Sequence, residues 1–210
     1  MLFRSELDPA ESWKIGDLAL DRFGSRFRAL GPQGESLNLI CPLAGEHQVE
    51  NALTAARVLN RLGIDAGSIE RGIADARWPG RLERVSLRPE IVLDGAHNPA
   101  GARALAAYIA RFYSNRRVTL IYGAMRDKAV TEMAGILFPC AQRVIATAPA
   151  QARAALPETI AELVPHPNIL TAPNLPEALR LVGDLGEEDA VFLTGSLFLV
   201  AEARSLLAKD

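Results

Sequence analysis

Ile91-Val92-Leu93-Asp94-Gly95-Ala96-His97-Asn98-Pro99-Ala100-Gly101 is the stretch on which the reading of this chain turns. Three apolar residues after Pro89 make a short buried strand, polar and small residues follow at once, and Pro99 takes a position that a first helical turn tolerates. The order is strand, loop, helix. In open α/β sheets ligands gather at the carboxyl ends of strands, and the free amides of the next helix favour negative groups there. Asp94, His97 and Asn98 therefore stand where a phosphate, a ribose or a carboxylate would be held. The competing reading is that Asp94 and Asn98 only form an Asx turn and cap the helix, as those residue types often do. Capping has no use for His97.

Outward from this stretch, the chain from Leu82 onward alternates strand with helix. Strands are expected at Arg84–Leu87, Ile91–Leu93, Val118–Tyr122, Arg143–Thr147, Ile169–Thr171 and Ala190–Thr194. Helices are expected at Pro99–Phe112, with Leu105 and Ile109 inward, and at Val130–Phe138, Glu158–Val164, Glu177–Val182 and Leu197–Leu207. Short all-apolar strands between amphipathic helices predict an α/β fold with a mostly parallel sheet covered on both faces. Two more strand ends lead into glycine-bearing loops, Gly123-Ala124-Met125-Arg126-Asp127-Lys128 and Thr194-Gly195-Ser196. Glycine lets a ligand approach the backbone, and a serine at a helix start suits an anion, although a plain strand-to-helix turn needs the same residues.

The first forty-odd residues differ. Leu18-Ala19-Leu20, Arg26–Leu30 and Leu37–Ile40 are short strand-like runs broken by Gly24 and by Gly31-Pro32-Gln33-Gly34, a meander of antiparallel strands. It is too small to hold a core alone, and it begins without an entry element before Leu18. A helix is expected from Glu46 to Leu62, with Val49, Leu53, Ala56 and Leu59 at helical spacing and Gly63 just past its end. His47 and Asn51, four residues apart, share a face near its electropositive start; solvated polar residues on an amphipathic helix would look the same. A second helix from about Ala66 to Ala76 buries Ile69 and Ile73 after Asp65 as cap. Trp78-Pro79-Gly80-Arg81 is rich enough in breakers to separate residues 1–77 from residues 78–210.

Composition narrows the function classes. Twenty-three basic against 25 acidic side chains, net −2 over 210 residues, give no electrostatic case for nucleic acid or an anionic membrane. The two cysteines, Cys41 and Cys140, lack metal spacing and read as buried thiols of a cytoplasmic protein. No apolar run approaches the ~18 residues of a membrane helix, and Met1 to Glu6 have no signal-peptide character.

Three motifs in order carry a resemblance: Gly45-Glu46-His47-Gln48-Val49-Glu50-Asn51, then Trp78-Pro79-Gly80-Arg81-Leu82-Glu83, then Leu93-Asp94-Gly95-Ala96-His97-Asn98-Pro99. Together they resemble folylpolyglutamate synthase/dihydrofolate synthase of the Mur ligase superfamily, over nearly all of the chain after about Gly31. The resemblance implies a Rossmann-like C-terminal domain at 78–210, preceded at 1–77 by the tail of a P-loop ATPase domain. It also implies an ATP-dependent ligase that joins L-glutamate to dihydropteroate or a folate through an acyl phosphate. Asn51 would contact adenine, Arg81 the ATP phosphates and Asp94 the nucleotide. His97, Asn98 and Ser196 would lie toward the glutamate or acyl-phosphate site, with His97 and Arg81 in catalysis.

The departures are as informative. No Gly-x-x-x-x-Gly-Lys-[Ser/Thr] occurs in the chain, so the phosphate cradle and the magnesium ligands are expected in a separate ATPase half, and none of these residues is assigned to metal. Where that family's loop usually reads Asp-Lys-Asp, Ala129 replaces the second acid, which leaves the role of Asp127 and Lys128 open. Two alternatives stand beside this reading, a muramyl-peptide Mur ligase and a non-catalytic nucleotide-binding module.

Overall fold

Phe27 and Ala29 on one strand, and Leu37, Leu39 and Cys41 on the next, alternate with exposed residues, so the strands near the start of the chain form a sheet with one apolar face. The computed structural model describes residues 12–126 and 128–208, and the chain divides between Arg77 and Trp78 into two compact units. Met1 to Glu6 and Asp127, both considered above, lie outside the described residues.

In the first unit β1 (Lys14–Leu20), β2 (Ser25–Leu30) and β3 (Ser36–Cys41) form an antiparallel meander. β1 begins at Lys14 rather than Leu18, because its pairing with β2 continues until Lys14 lies opposite Leu30. Its early residues are mostly exposed, so no apolar alternation marks them. Helices α1 (Glu46–Arg61) and α2 (Ala66–Ala74) complete the core: Val49, Ala52 and Ala56 from α1 and Ile69 and Ile73 from α2 pack with the strand residues just named. α2 starts where expected, its cap Asp65 accepting from the Ser68 amide at 2.9 Å. It stops at Ala74, and the Ala76 amide closes on the Ile73 carbonyl in a tighter turn.

The second unit is built on a six-stranded sheet. Its strands are β4 (Glu83–Leu87), β5 (Glu90–Leu93), β6 (Arg117–Tyr122), β7 (Arg143–Thr147), β8 (Ile169–Ala172) and β9 (Asp189–Thr194), in the spatial order β4-β5-β9-β6-β7-β8. β4 is antiparallel to β5 at one edge, and every other pairing is parallel. Helices α3 (Pro99–Phe112), α4 (Val130–Leu137) and α5 (Pro157–Leu163) pack in series on one face, and α6 (Leu175–Val182) and α7 (Leu197–Leu207) on the other. Leu93, Ile121, Ile145, Val191 and Leu193 meet Leu175, Ala178, Leu199, Val200 and Ala203 on the α6–α7 side. Phe192 points the other way, edge-on to Tyr113 of the α3 end at 4.9 Å between centroids, and Tyr122 meets Phe138 likewise. Burial on both faces is what the all-apolar strands required.

The start of β5 holds a buried charge. Glu90 accepts from Arg84 Nε at 3.1 Å and Tyr113 Oη at 2.6 Å, and pairs with Arg116 at 3.3 Å. Arg84 also donates to Tyr108 and Tyr113. Burial first, and then the bond to Glu90, keeps the Tyr113 phenol protonated far above its ordinary range. Breaking a buried pair by removing one partner strands the other, at about 3–5 kcal/mol. Glu90→Ala should therefore lower the free energy of urea unfolding by about that much, and a loss under about 1 kcal/mol would show that this knot does not hold α3 to the sheet edge.

Candidate functional site

β5, β9 and β6 end level with one another, Leu93 opposite Leu193 and Tyr122 opposite Thr194. The chain leaves β5 for α3 on one face, β9 for α7 on the other, and β6 for α4 back on the first, so crevices open on either side of the end of β9. Here the parallel ladder runs one residue further, the Asp94 amide donating to the Leu193 carbonyl at 3.0 Å.

Gly95 then turns away, and its amide donates to the Gly80 carbonyl at 2.7 Å. Its carbonyl accepts from two side chains, His97 Nδ1 at 2.8 Å and Arg81 Nη1 at 3.3 Å. A carbonyl can only accept, so Nδ1 is the donor, and in the neutral tautomer this leaves Nε2 as the acceptor. A larger residue would have to displace a neighbour: a Cβ on Gly95 would lie 2.4 Å from the terminal methyl of Leu197 and 3.3 Å from the Gly80 carbonyl.

Asp94 is buried, and both carboxylate oxygens are engaged: Oδ2 accepts from the Leu82 amide at 3.1 Å and Oδ1 from the Ala96 amide at 3.0 Å. The second bond is the Asx turn considered from sequence. The first holds Leu82, itself buried, at a φ of +46°, a left-handed conformation that costs a non-glycine residue about 1–2 kcal/mol. Asn98 is the N-cap of α3, accepting from the Gly101 amide at 2.8 Å, with Pro99 next. Ser196 caps α7 in the same way, accepting from the Phe198 amide at 3.1 Å, and is buried.

Gly195 precedes it with a φ of +103°, and a Cβ there would lie 2.8 Å from both the Gly123 carbonyl and the Tyr122 ring. The turn at Gly80–Glu83, the loop Asp94–Asn98 and the start of α7 thus meet at one end of the sheet. Arg81, Asp94, His97, Asn98 and Ser196 come together there. In the loop after β6, Arg126 donates to the Ala152 carbonyl and Lys128 is exposed.

Asn51 belongs to the other unit. It is exposed on α1 and donates to Gln48 Oε1 at 3.0 Å, while Gln48 Nε2 lies 3.2 Å from His47 Nε2. The helical spacing pairs His47 with Asn51 directly; the buried Gln48 between them is what links them. Sequence reading assigned Glu83 no role and passed over Arg204, whose Nε donates to Glu83 Oε1 at 3.0 Å. The motif around Gly80 could point to Glu83, but nothing local points to a residue so far along the chain.

A doubly wound α/β domain with polar loops gathered at its topological switch is the class that this fold and site define. Residues 80–197, more than half of the chain, match the family described as Mur ligase, glutamate ligase domain, and the chain belongs to that family. It is 39% identical over 169 residues to a probable bifunctional folylpolyglutamate synthase/dihydropteroate synthase of Halobacterium salinarum, covering 78% of this chain and 20% of that protein. It is 30% identical to a dihydrofolate synthase/folylpolyglutamate synthase of Mycobacterium tuberculosis, covering 89% of this chain and 44% of that one. The solved structure of Mycobacterium tuberculosis folylpolyglutamate synthase complexed with ADP superposes with a TM-score of 0.84 at 28% identity, covering 94% of this chain and 48% of that chain. The chain therefore spans about a fifth to a half of the length of these relatives.

The close approaches at Gly195 set a testable cost. A left-handed glycine in open space, such as Gly63, should lose about 1–2 kcal/mol on replacement by alanine. Gly195→Ala should lose roughly 2–5 kcal/mol in urea denaturation, because overpacking adds about 1–3 kcal/mol to the backbone strain. Equal losses at the two positions would mean that the neighbours of Gly195 yield freely.

Proposed function

We propose that this chain is part of an ATP-dependent ligase that adds L-glutamate to dihydropteroate or a folate through an acyl phosphate. In this reading residues 1–77 are the end of the central ATPase domain and residues 78–210 the C-terminal α/β domain. The observation that carries it is the convergence of Arg81 and His97 on the carbonyl of Gly95, beside the capped helix starts of Asn98 and Ser196. The names of the relatives support the choice of folate over muramyl peptides, and so does the Asp94–Pro99 string; the family match alone would serve either.

Each side chain suits its role. The guanidinium of Arg81 stays charged throughout and matches phosphate oxygens. The carboxylate of Asp94 has about four lone-pair sites, so a ribose hydroxyl can share it with the two amides that it already accepts from. Ser196 spends an acceptor site on its cap and keeps its hydroxyl hydrogen to donate to a carboxylate or phosphoryl oxygen, and His97 presents Nε2. Asn51 would meet the adenine. Among the described residues no group of three or more His, Cys, Asp or Glu could hold a metal ion, and we assign the magnesium ligands and the phosphate cradle to the ATPase half. Nor is any described helix long and apolar enough to cross a membrane.

Phosphoryl transfer depends on that cradle, its lysine and magnesium. The 210-residue chain alone should therefore show no ATP-dependent ligation and at best millimolar nucleotide binding, about −4 kcal/mol. A phosphate-release assay with ATP, magnesium, glutamate and a folate acceptor checks this, and sustained turnover by the isolated chain would refute it. In the complete ligase, Arg81→Ala should lower kcat by about 10²–10³, the loss typical of one donor removed from developing charge. Unchanged turnover in a folded variant would leave the Gly80–Glu83 loop a structural turn.

A further inference from the structure

Two carboxylates stand near Arg81, Glu83 two residues along the chain and Asp94 across the turn, and a free carboxylate would take a guanidinium into a bidentate ion pair. Neither does so. Asp94 is engaged by the amides of Leu82 and Ala96. Glu83 bridges outward: Oε2 accepts from the Gly80 amide at 2.7 Å, and Oε1 accepts from Nε of Arg204, near the end of α7, at 3.0 Å. The same helix backs the turn elsewhere, Val200 lying 2.8 Å from where a Cβ of Gly80 would be and Leu197 packing against Gly95. Among the described residues the side chain of Arg81 is left with one hydrogen bond, the 3.3 Å contact to the Gly95 carbonyl.

Resting on the reading of Arg81 as a phosphate contact, we propose that Glu83 and Arg204 form a positioning pair for it. Glu83 seats the Gly80 amide, and Arg204 occupies the carboxylate that would otherwise capture the Arg81 guanidinium. The side chain of Arg204 is 46% exposed and that of Glu83 22%, so the pair adds little to stability in itself. Its effect lies in where the charges sit. With Glu83 satisfied from the α7 side, the guanidinium faces the crevice without a competing anion; without Arg204, the carboxylate two residues away recaptures it. Arg204 touches no substrate in this arrangement.

The pair is tested in the complete ligase by phosphate release. Arg204→Met should lower kcat about tenfold, within the range that misplacement of a catalytic group produces, with KM for the folate acceptor unchanged. Arg204→Lys keeps the charge and should retain most of the rate. The double variant Glu83→Gln with Arg204→Met is the decisive one. A glutamine still accepts from the Gly80 amide but has no charge with which to hold Arg81, so kcat should recover to within about threefold of the wild type. Normal kinetics in Arg204→Met, or a double variant as slow as the single, would overturn the proposal.

Arg81→Ala in the same assay separates the two levels of inference. If it is slow while Arg204→Met is normal, the positioning pair alone falls; if Arg81→Ala is normal, the phosphate reading falls with it. In the 210-residue chain, nitrogen NMR of the arginine side chains should show rotation of the Arg81 guanidinium slowed by Arg204→Met and freed again in the double variant. Rotation unchanged by Arg204→Met would refute recapture without any activity measurement.

Discussion

The peptide of Gly95 is the constraint on which the rest of the second unit's site depends. Its amide fastens the strand-end loop to Gly80, its carbonyl accepts from both Arg81 and His97, and its missing side chain leaves room for Leu197. Three segments distant in sequence are therefore brought to a single backbone unit. Asp94 reinforces the arrangement from the neighbouring position, holding the amides of Leu82 and Ala96 at once. Buried backbone donors left without acceptors would each cost about 1–3 kcal/mol, so a single carboxylate that serves both sides of the junction makes the loop and the turn cooperative.

β5 shows how a strand of four residues separates two kinds of polar chemistry. At its start Glu90 is enclosed by two arginines and two tyrosines, a knot whose groups bond mainly to one another and leave the buried Nε of Arg116 without a partner among the described residues. At its end Asp94 and His97 are held chiefly by backbone and leave polar atoms facing the crevice. Both clusters are ionisable and well bonded, and the difference lies in what each leaves unsatisfied. The first closes a sheet edge. The second presents an imidazole nitrogen, a serine hydroxyl and a guanidinium where the topology reverses direction.

The first unit follows the same economy on a smaller scale. A meander with one apolar face cannot bury that face by itself, and α1 and α2 supply the second layer. The polar first turns of α1 are left over from this packing. Gln48 is buried there and joins His47 to Asn51, which fixes the orientation of a side chain that would otherwise be a mobile surface amide.

By itself the sequence determined the local elements and their identities, because these rest on short-range physics. The apolar runs at Val118–Tyr122 and Ala190–Thr194, the caps at Asp65 and Asn98, the serine that opens the last helix and the breakers around Pro79 all act within a few residues, and the structure departs from them by a residue or two. The start of β1 at Lys14 escaped because exposed strand residues carry no alternation. The motifs were also legible as a family resemblance, which is how Arg81 and Asn51 were singled out. What only the tertiary structure decided was adjacency. That β9, the last strand, inserts between β5 and β6 depends on crossover connections that no local pattern encodes, and this insertion brings Ser196 to Asp94. The bond from Arg204 to Glu83 spans 121 residues and exists only because α7 packs back along β5. Periodicity reports which face of an element is buried; it does not report which other element buries it, and the charges that surround Arg81 follow from the second question.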